Sequence, residues 1–195
     1  NNQDTVILGG SYDVDSDDEF NSTDRAFVYD RQSGSYTMIK PFAEGAQTRS
    51  YVTSINNSGD VVGFADISNG DDNFRIASYI TNVSDLSSLT EIPSLGERAT
   101  FARAVNSNKE VVGNIFISGT NGQREAFYID MSTSSPEFQS LGFFNPDFND
   151  SRANDINNMG QIVGRALISA PTLRETGAFL YENDEMKDLN TLVAC

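Results

Sequence analysis

Twelve residues from Asp13 to Asp24 read DVDSDDEFNSTD. Asp13, Asp15 and Asp17 alternate, and Asp24 closes the run at its twelfth position. Calcium takes about six to eight hard oxygen ligands, and an alternating D-x-D-x-D turn aims several carboxylates at one centre. These four aspartates are the candidate metal ligands, and calcium is the candidate cofactor. Against this, Asp18 stands where calcium loops usually carry glycine, and Asp24 is shorter than the usual bidentate glutamate. The competing reading is a solvated acidic loop. ADISNGDDNF (65–74) brings Asp66, Asp71 and Asp72 together in a weaker version of the pattern, for which a loop turning at Gly70 is the simpler account.

Paired carboxylates can also hydrolyse glycosides. With 28 Asp and Glu, some pair falls close by chance. Asp155 is the most interesting acid, because it sits beside Ile156 on a strand expected to line a central channel. A carboxylate bonded to backbone is the plainer reading of it. Other chemistries are excluded outright. There is no histidine, so Ser-His-Asp and Cys-His catalysis and histidine-ligated metals cannot arise within this chain. Cys195 is the single cysteine, which rules out an internal disulfide. The formal net charge of −15 and the scattering of 13 Lys and Arg make nucleic acid and anionic membranes poor partners. No apolar run approaches the ~18 residues of a membrane helix, so insertion into a membrane is not expected.

The elements that must position such residues recur along the chain. SINNSGDVVGF (54–64) returns as AVNSNKEVVGN (104–114) and DINNMGQIVGR (155–165). A shorter form, VILGG (6–10), opens the chain. After each glycine comes an alanine-led apolar run: AFVYD from Ala26, ASYI from Ala77, AFYID from Ala126 and AFLYE from Ala178. A third run follows, and the last three units also carry a run before the turn. The runs are short, rich in Val, Ile, Phe, Tyr and Thr, and bounded by turn residues, with no sustained helical period.

Antiparallel all-β structure follows, with about four blades of four strands, in the manner of a β-propeller. One repeat domain spans 1–195, with units near 1–46 (lacking its first strand), 47–97, 98–148 and 149–195. Asn56, Asn106 and Asn157 open the hairpin turns, where Asn and Gly tolerate positive φ. Gly63, Gly113 and Gly164 fall inside strands, where glycine marks a bulge or a close backbone approach, and here the missing side chain is expected to let adjacent sheets pack closely. Phe27, Phe127 and Phe179 share one repeat position and read as core. GFFNPDF (142–148) reads as a plug in a seam or as an exposed contact patch.

RANDINNMGQIVG (152–164) with GAFLYENDEMKDLNTL (177–192) resembles the HAF-type repeat of bacterial exported or surface proteins. The resemblance implies a secreted, periplasmic or surface location and carries no known chemistry. The histidine that names the repeat is absent: Arg25, Ile76, Glu125 and Gly177 precede the four alanines. Two classes of function remain. The first is a non-catalytic binding or structural module of an exported protein, with a glycan or protein ligand. The alternative is a carbohydrate-active enzyme using Asp and Glu, or a glycan-binding propeller. The missing first strand implies a piece of a longer repeat protein and an edge open to self-association, or to pairing with the rest of the parent protein.

Overall fold

The computed structural model describes residues 5–8, 26–39, 49–68, 74–95, 99–117, 119–120, 122–144, 149–168 and 175–192. The chain is all-β, as its short apolar runs require. The first sheet holds β1 (Thr5–Leu8), β2 (Phe27–Asp30) and β3 (Ser35–Met38). The second holds β4 (Ser50–Ile55), β5 (Asp60–Ser68), β6 (Phe74–Asn82) and β7 (Asp85–Glu91). The third holds β8 (Thr100–Val105), β9 (Glu110–Phe116), β10 (Arg124–Asp130) and β11 (Gln139–Gly142). The fourth holds β12 (Ser151–Ile156), β13 (Ile162–Leu167), β14 (Thr176–Glu182) and β15 (Glu185–Asp188). A single helical turn, α1 (Leu189–Leu192), follows. Each sheet is a blade-like antiparallel meander whose neighbours are consecutive in the chain.

Contacts between sheets run from each sheet to the next. Three apolar clusters lie in these seams. One joins Ala26, Val28 and Ile39 to Val61 and Tyr79. The next joins Val62, Ile80 and Ile92 to Ala102, Val111 and Phe127. The third joins Val112, Ala126 and Leu141 to Ala153, Ile162 and Phe179. Successive strand residues face opposite sides, so Val61 serves one seam and Val62 the other. A strand covered on both faces reads as a continuous apolar run, and β9 is buried from Val111 through Ile115. In the fourth sheet the pattern changes. Val163, the counterpart of the fully buried Val62 and Val112, is 41% exposed.

The strand glycines do mark a bulge and a close backbone approach, but not the close packing of adjacent sheets. They give clearance within a sheet, not between sheets. A Cβ on Gly113 would lie 2.1 Å from the Phe101 carbonyl oxygen on β8 and 2.9 Å from the Phe127 ring on β10. Gly63 meets the Tyr51 carbonyl and the Tyr79 ring in the same way, and Gly164 the Arg152 carbonyl and the Phe179 ring. The cause is a bulge in the facing strand. Val52 pairs with Gly63 and Ser54 with Val62, which leaves Thr53 as the extra residue, and Arg103 and Asn154 repeat the pattern. The bulge drives a carbonyl into the space a side chain would fill. The register also corrects one alignment: Tyr79 stands opposite Gly63, as Phe127 stands opposite Gly113. Ser78, not Ala77, therefore shares the position of Ala126.

Candidate functional site

The three repeated turns carry one recurring polar geometry. In the first, the Asn56 backbone N–H donates to the Asp60 carbonyl at 3.0 Å and the Gly59 N–H to the Asn56 carbonyl at 3.3 Å. The third residue after each asparagine is left-handed: Gly59 at φ 83°, Lys109 at φ 64° and Gly160 at φ 78°. This is a three-residue hairpin loop closed by a left-handed residue. Positive φ belongs to Gly59, Lys109 and Gly160, and the asparagines are selected for their amides instead.

Asn56 Oδ1 accepts from the backbone N–H groups of Ser58 and Asp60, both at 2.9 Å. Asn106 Oδ1 accepts from Asn108 and Glu110, and Asn157 Oδ1 from Met159 and Gln161. Each Nδ2 donates to the side chain four residues on: Asp60, Glu110 or Gln161. The first two amides also reach across a seam. Asn56 Nδ2 donates to the Asn106 carbonyl at 2.8 Å, and Asn106 Nδ2 to the Asn157 carbonyl at 2.9 Å. A ladder of asparagines thus ties the second sheet to the third and the third to the fourth. Lys109 adds an ion pair to Asp60 across the second–third seam at 3.6 Å. The sequence did carry a signal for this role: each asparagine is followed four residues later by Asp, Glu or Gln.

Beside the ladder lie two equivalent grooves. One, between the second and third sheets, is lined by Asp60, Asn82, Asp85, Lys109 and Met131. The other, between the third and fourth, is lined by Glu110, Tyr128, Gln139, Tyr181 and Glu182. Tyr128 donates its hydroxyl to Glu110 Oε1 at 2.8 Å. Burial first, and then that carboxylate, push the Tyr128 hydroxyl well above the ordinary phenol range. Tyr181 is raised too, by burial and by Asp184. Glu182 is held below the usual carboxylate range by hydrogen bonds from Gln161 and Lys187. Asp30 and Asp85 are lowered by hydrogen bonds from Gln32 and Ser33 and from Ser87, respectively. These carboxylates accept hydrogen bonds as anions, the opposite of what a general acid needs.

The candidates named from sequence fall as follows. Asp13, Asp15, Asp17 and Asp24 lie outside the described residues, as do Asp71, Asp72 and Cys195. Asp66 is buried near the end of β5 and pairs with Arg49 at 2.7 Å. Among the described residues no group of three or more His, Cys, Asp or Glu is arranged to hold a metal. Asp155 is exposed on β12, and its Oδ1 accepts from the Ile156 N–H at 2.9 Å. Phe144 is half-buried against the third–fourth cluster and meets Phe179 edge-on at 6.4 Å. Phe148 lies outside the described residues. No helix among the described residues is long and apolar enough to cross a membrane.

None of the curated proteins compared with the chain matches it. A family model does, over residues 96–195, which take in all of the third and fourth sheets and their shared seam. That span is just over half of the chain, and on it the chain belongs to the family described as protein of unknown function (DUF3466).

Proposed function

We propose that the chain is a non-catalytic repeat module of an exported bacterial protein, related to the HAF-type repeat proteins. Its blades stack in propeller fashion and present the inter-sheet grooves to a glycan or protein ligand. The observation that carries this reading is the asparagine ladder. The most polar recurring positions, Asn56, Asn106 and Asn157 with Asp60, Glu110 and Gln161, are committed to holding turns and joining sheets. The remaining acids with perturbed protonation are stabilised as anions. What varies from seam to seam is the lining of the grooves, and a binding module diversifies there without disturbing the fold.

The test is a panel of glycans and chromogenic glycosides applied to the purified chain. The module reading expects saturable binding of some member, with no release of chromophore. Turnover that is lost when Glu110 or Glu182 is replaced by Gln would overturn it in favour of a carbohydrate-active enzyme.

A further inference from the structure

Aromatic rings fill one end of the seam between the second and third sheets. Phe64 meets Phe101 edge-on at 5.1 Å, and Tyr51 stacks on Phe64 at 5.0 Å. One repeat later the positions of Phe64 and Phe101 are held by Asn114 and Arg152. Asn114 follows Gly113 as Phe64 follows Gly63, and Arg152 precedes Ala153 as Phe101 precedes Ala102. Asn114 is 0% exposed, and neither Nδ2 nor Oδ1 has a hydrogen-bond partner among the described residues.

The surroundings of this amide are cationic. Asn114 is paired with Phe101 and Ala126, and Phe116 with Arg124, so all five share one face of the third sheet. The Arg124 guanidinium lies over the rings of Phe116 at 4.5 Å and Phe101 at 4.8 Å. Its Nε is buried and, like the Asn114 amide, lacks a partner among the described residues. Arg103, the extra residue of the β8 bulge, lies over Phe64 at 5.8 Å. Arg152 and Arg165 face each other across β12 and β13. Burial first, and then the charge of Arg152, lower the proton affinity of Arg103 and Arg124, with Arg165 adding to the effect on Arg103 and Arg103 to that on Arg124. Asp150 opposes them, with Oδ1 3.3 Å from Arg152 Nε.

A chain of net charge −15 therefore gathers four guanidinium groups beside a buried amide that has no partner among the described residues. Like charges held together in a partly dry site are costly until an anion joins them. The guanidinium fork matches the oxygens of carboxylate, sulfate and phosphate. The rings beneath Arg124 hold its plane in place while leaving its edges free. We propose that this end of the third–fourth seam binds a small oxyanion, with Arg124 and Arg152 as its principal partners, Arg103 and Arg165 as supporting charge, and Asn114 as a hydrogen-bond donor. The anion is either free or the acidic group of a sugar. The proposal holds whether or not the module is catalytic.

The test is titration calorimetry with sodium phosphate, sodium sulfate and galacturonate. Each is compared with sodium chloride at the same ionic strength, because screening alone affects a chain this acidic. Saturable binding of one oxyanion per chain is expected. It should weaken at least about tenfold in Arg124→Gln and in Arg152→Gln, the effect of losing one charge-assisted hydrogen bond. Arg165→Gln, an exposed change that spares the packing, should weaken it less but measurably. Lys187→Gln should leave it intact. Tighter binding of galacturonate than of phosphate identifies an acidic sugar, whereas phosphate or sulfate binding at least as tightly identifies a free anion. Heats that never saturate, or that are the same in Arg165→Gln as in the parent, overturn the proposal.

Discussion

The second–third seam and the third–fourth seam share one backbone plan and are filled with different chemistry. In both, a bulged strand faces a glycine and an asparagine reaches across to the next turn. In both, an aromatic ring from the later sheet is fully buried, Phe127 in one and Phe179 in the other. Beyond these shared parts the seams diverge. Phe64 and Phe101 close the first, while Asn114 and Arg152 stand at the same positions in the second. The divergence shows where the chain is free to vary. Positions bound to backbone geometry are repeated, and positions that only fill the seam are open to other uses.

The repeated part should be the more brittle. Gly113→Ala sets a methyl group against a backbone carbonyl that cannot move without breaking the bulge. It should lower stability by about 3 kcal/mol or more in chemical denaturation. Gly34→Ala is its control, because nothing lies within 4 Å of the added carbon. That change should cost about 1 kcal/mol, from the left-handed φ of 68° alone. Similar losses at the two sites would mean that the carbonyl contact is not what selects glycine.

The ladder offers a second contrast. Asn106→Ala removes two acceptor bonds within its turn and the donor bond to the Asn157 carbonyl, in a buried setting. It should cost about 3 kcal/mol. Asn157→Ala removes the same turn bonds where water can replace them, since Asn157 is exposed. A loss of about 1 kcal/mol is expected there. Equal losses would show that the cross-seam bond contributes nothing.

The varied part should respond with opposite signs in the two seams. Phe64→Leu removes ring contacts from a filled seam and should destabilise by about 1–2 kcal/mol. Asn114→Leu, measured without added oxyanion, replaces a buried amide that lacks a partner among the described residues by an apolar group of similar volume. It should stabilise by about 1 kcal/mol. Destabilisation by Asn114→Leu would mean that the amide already has a partner.

Two smaller effects sharpen the comparison. Tyr79 takes the ring position that Phe127 and Phe179 take later, and its hydroxyl donates to the Tyr51 carbonyl at 3.0 Å. Tyr79→Phe should cost about 1 kcal/mol at neutral pH. Burial raises the pKa of this hydroxyl well above its ordinary value near 10. The folded chain therefore keeps the proton where the unfolded chain would lose it. The stability tied to that proton is intact below about pH 10 and is lost as pH rises toward the folded value. Tyr79→Phe should move alkaline unfolding, followed by circular dichroism, to higher pH. Lys109→Gly, which places glycine where the equivalent turns already have it, relieves a left-handed φ of 64° but takes the half-exposed ammonium away from the buried Asp60 carboxylate, which the Asn56 and Asn82 amides still hold. The two effects should nearly cancel, leaving a change within about 1 kcal/mol in thermal melts.

Much of the fold could be read from the repeat itself. The recurrence of turn, glycine and aromatic run at 54–64, 104–114 and 155–165 implies hairpins of one design, because local turn chemistry and side-chain alternation are properties of neighbouring residues. A glycine inside a strand signals a bulge or a close approach, but which backbone it clears is a relation between two strands. Nothing in EVVGN announces that the Phe101 carbonyl will press against its glycine. The alignment at Ala77 was off by one residue for the same reason, since register is settled across the strand pair.

By itself, then, the sequence determined the fold class, the position of the three repeated turns and the exclusion, within this chain, of histidine-based chemistry and an internal disulfide. These depend on composition and on contacts between near neighbours. Only the tertiary structure decided that the asparagines form a ladder and that Asn114 is buried without a partner among the described residues. Only it, too, brought together Arg103, Arg124, Arg152 and Arg165, which appear scattered along the chain. Each of these is a meeting of residues from different sheets. Stacking alone sets which faces are covered, and so which charges share a dry space and which amides lose their water.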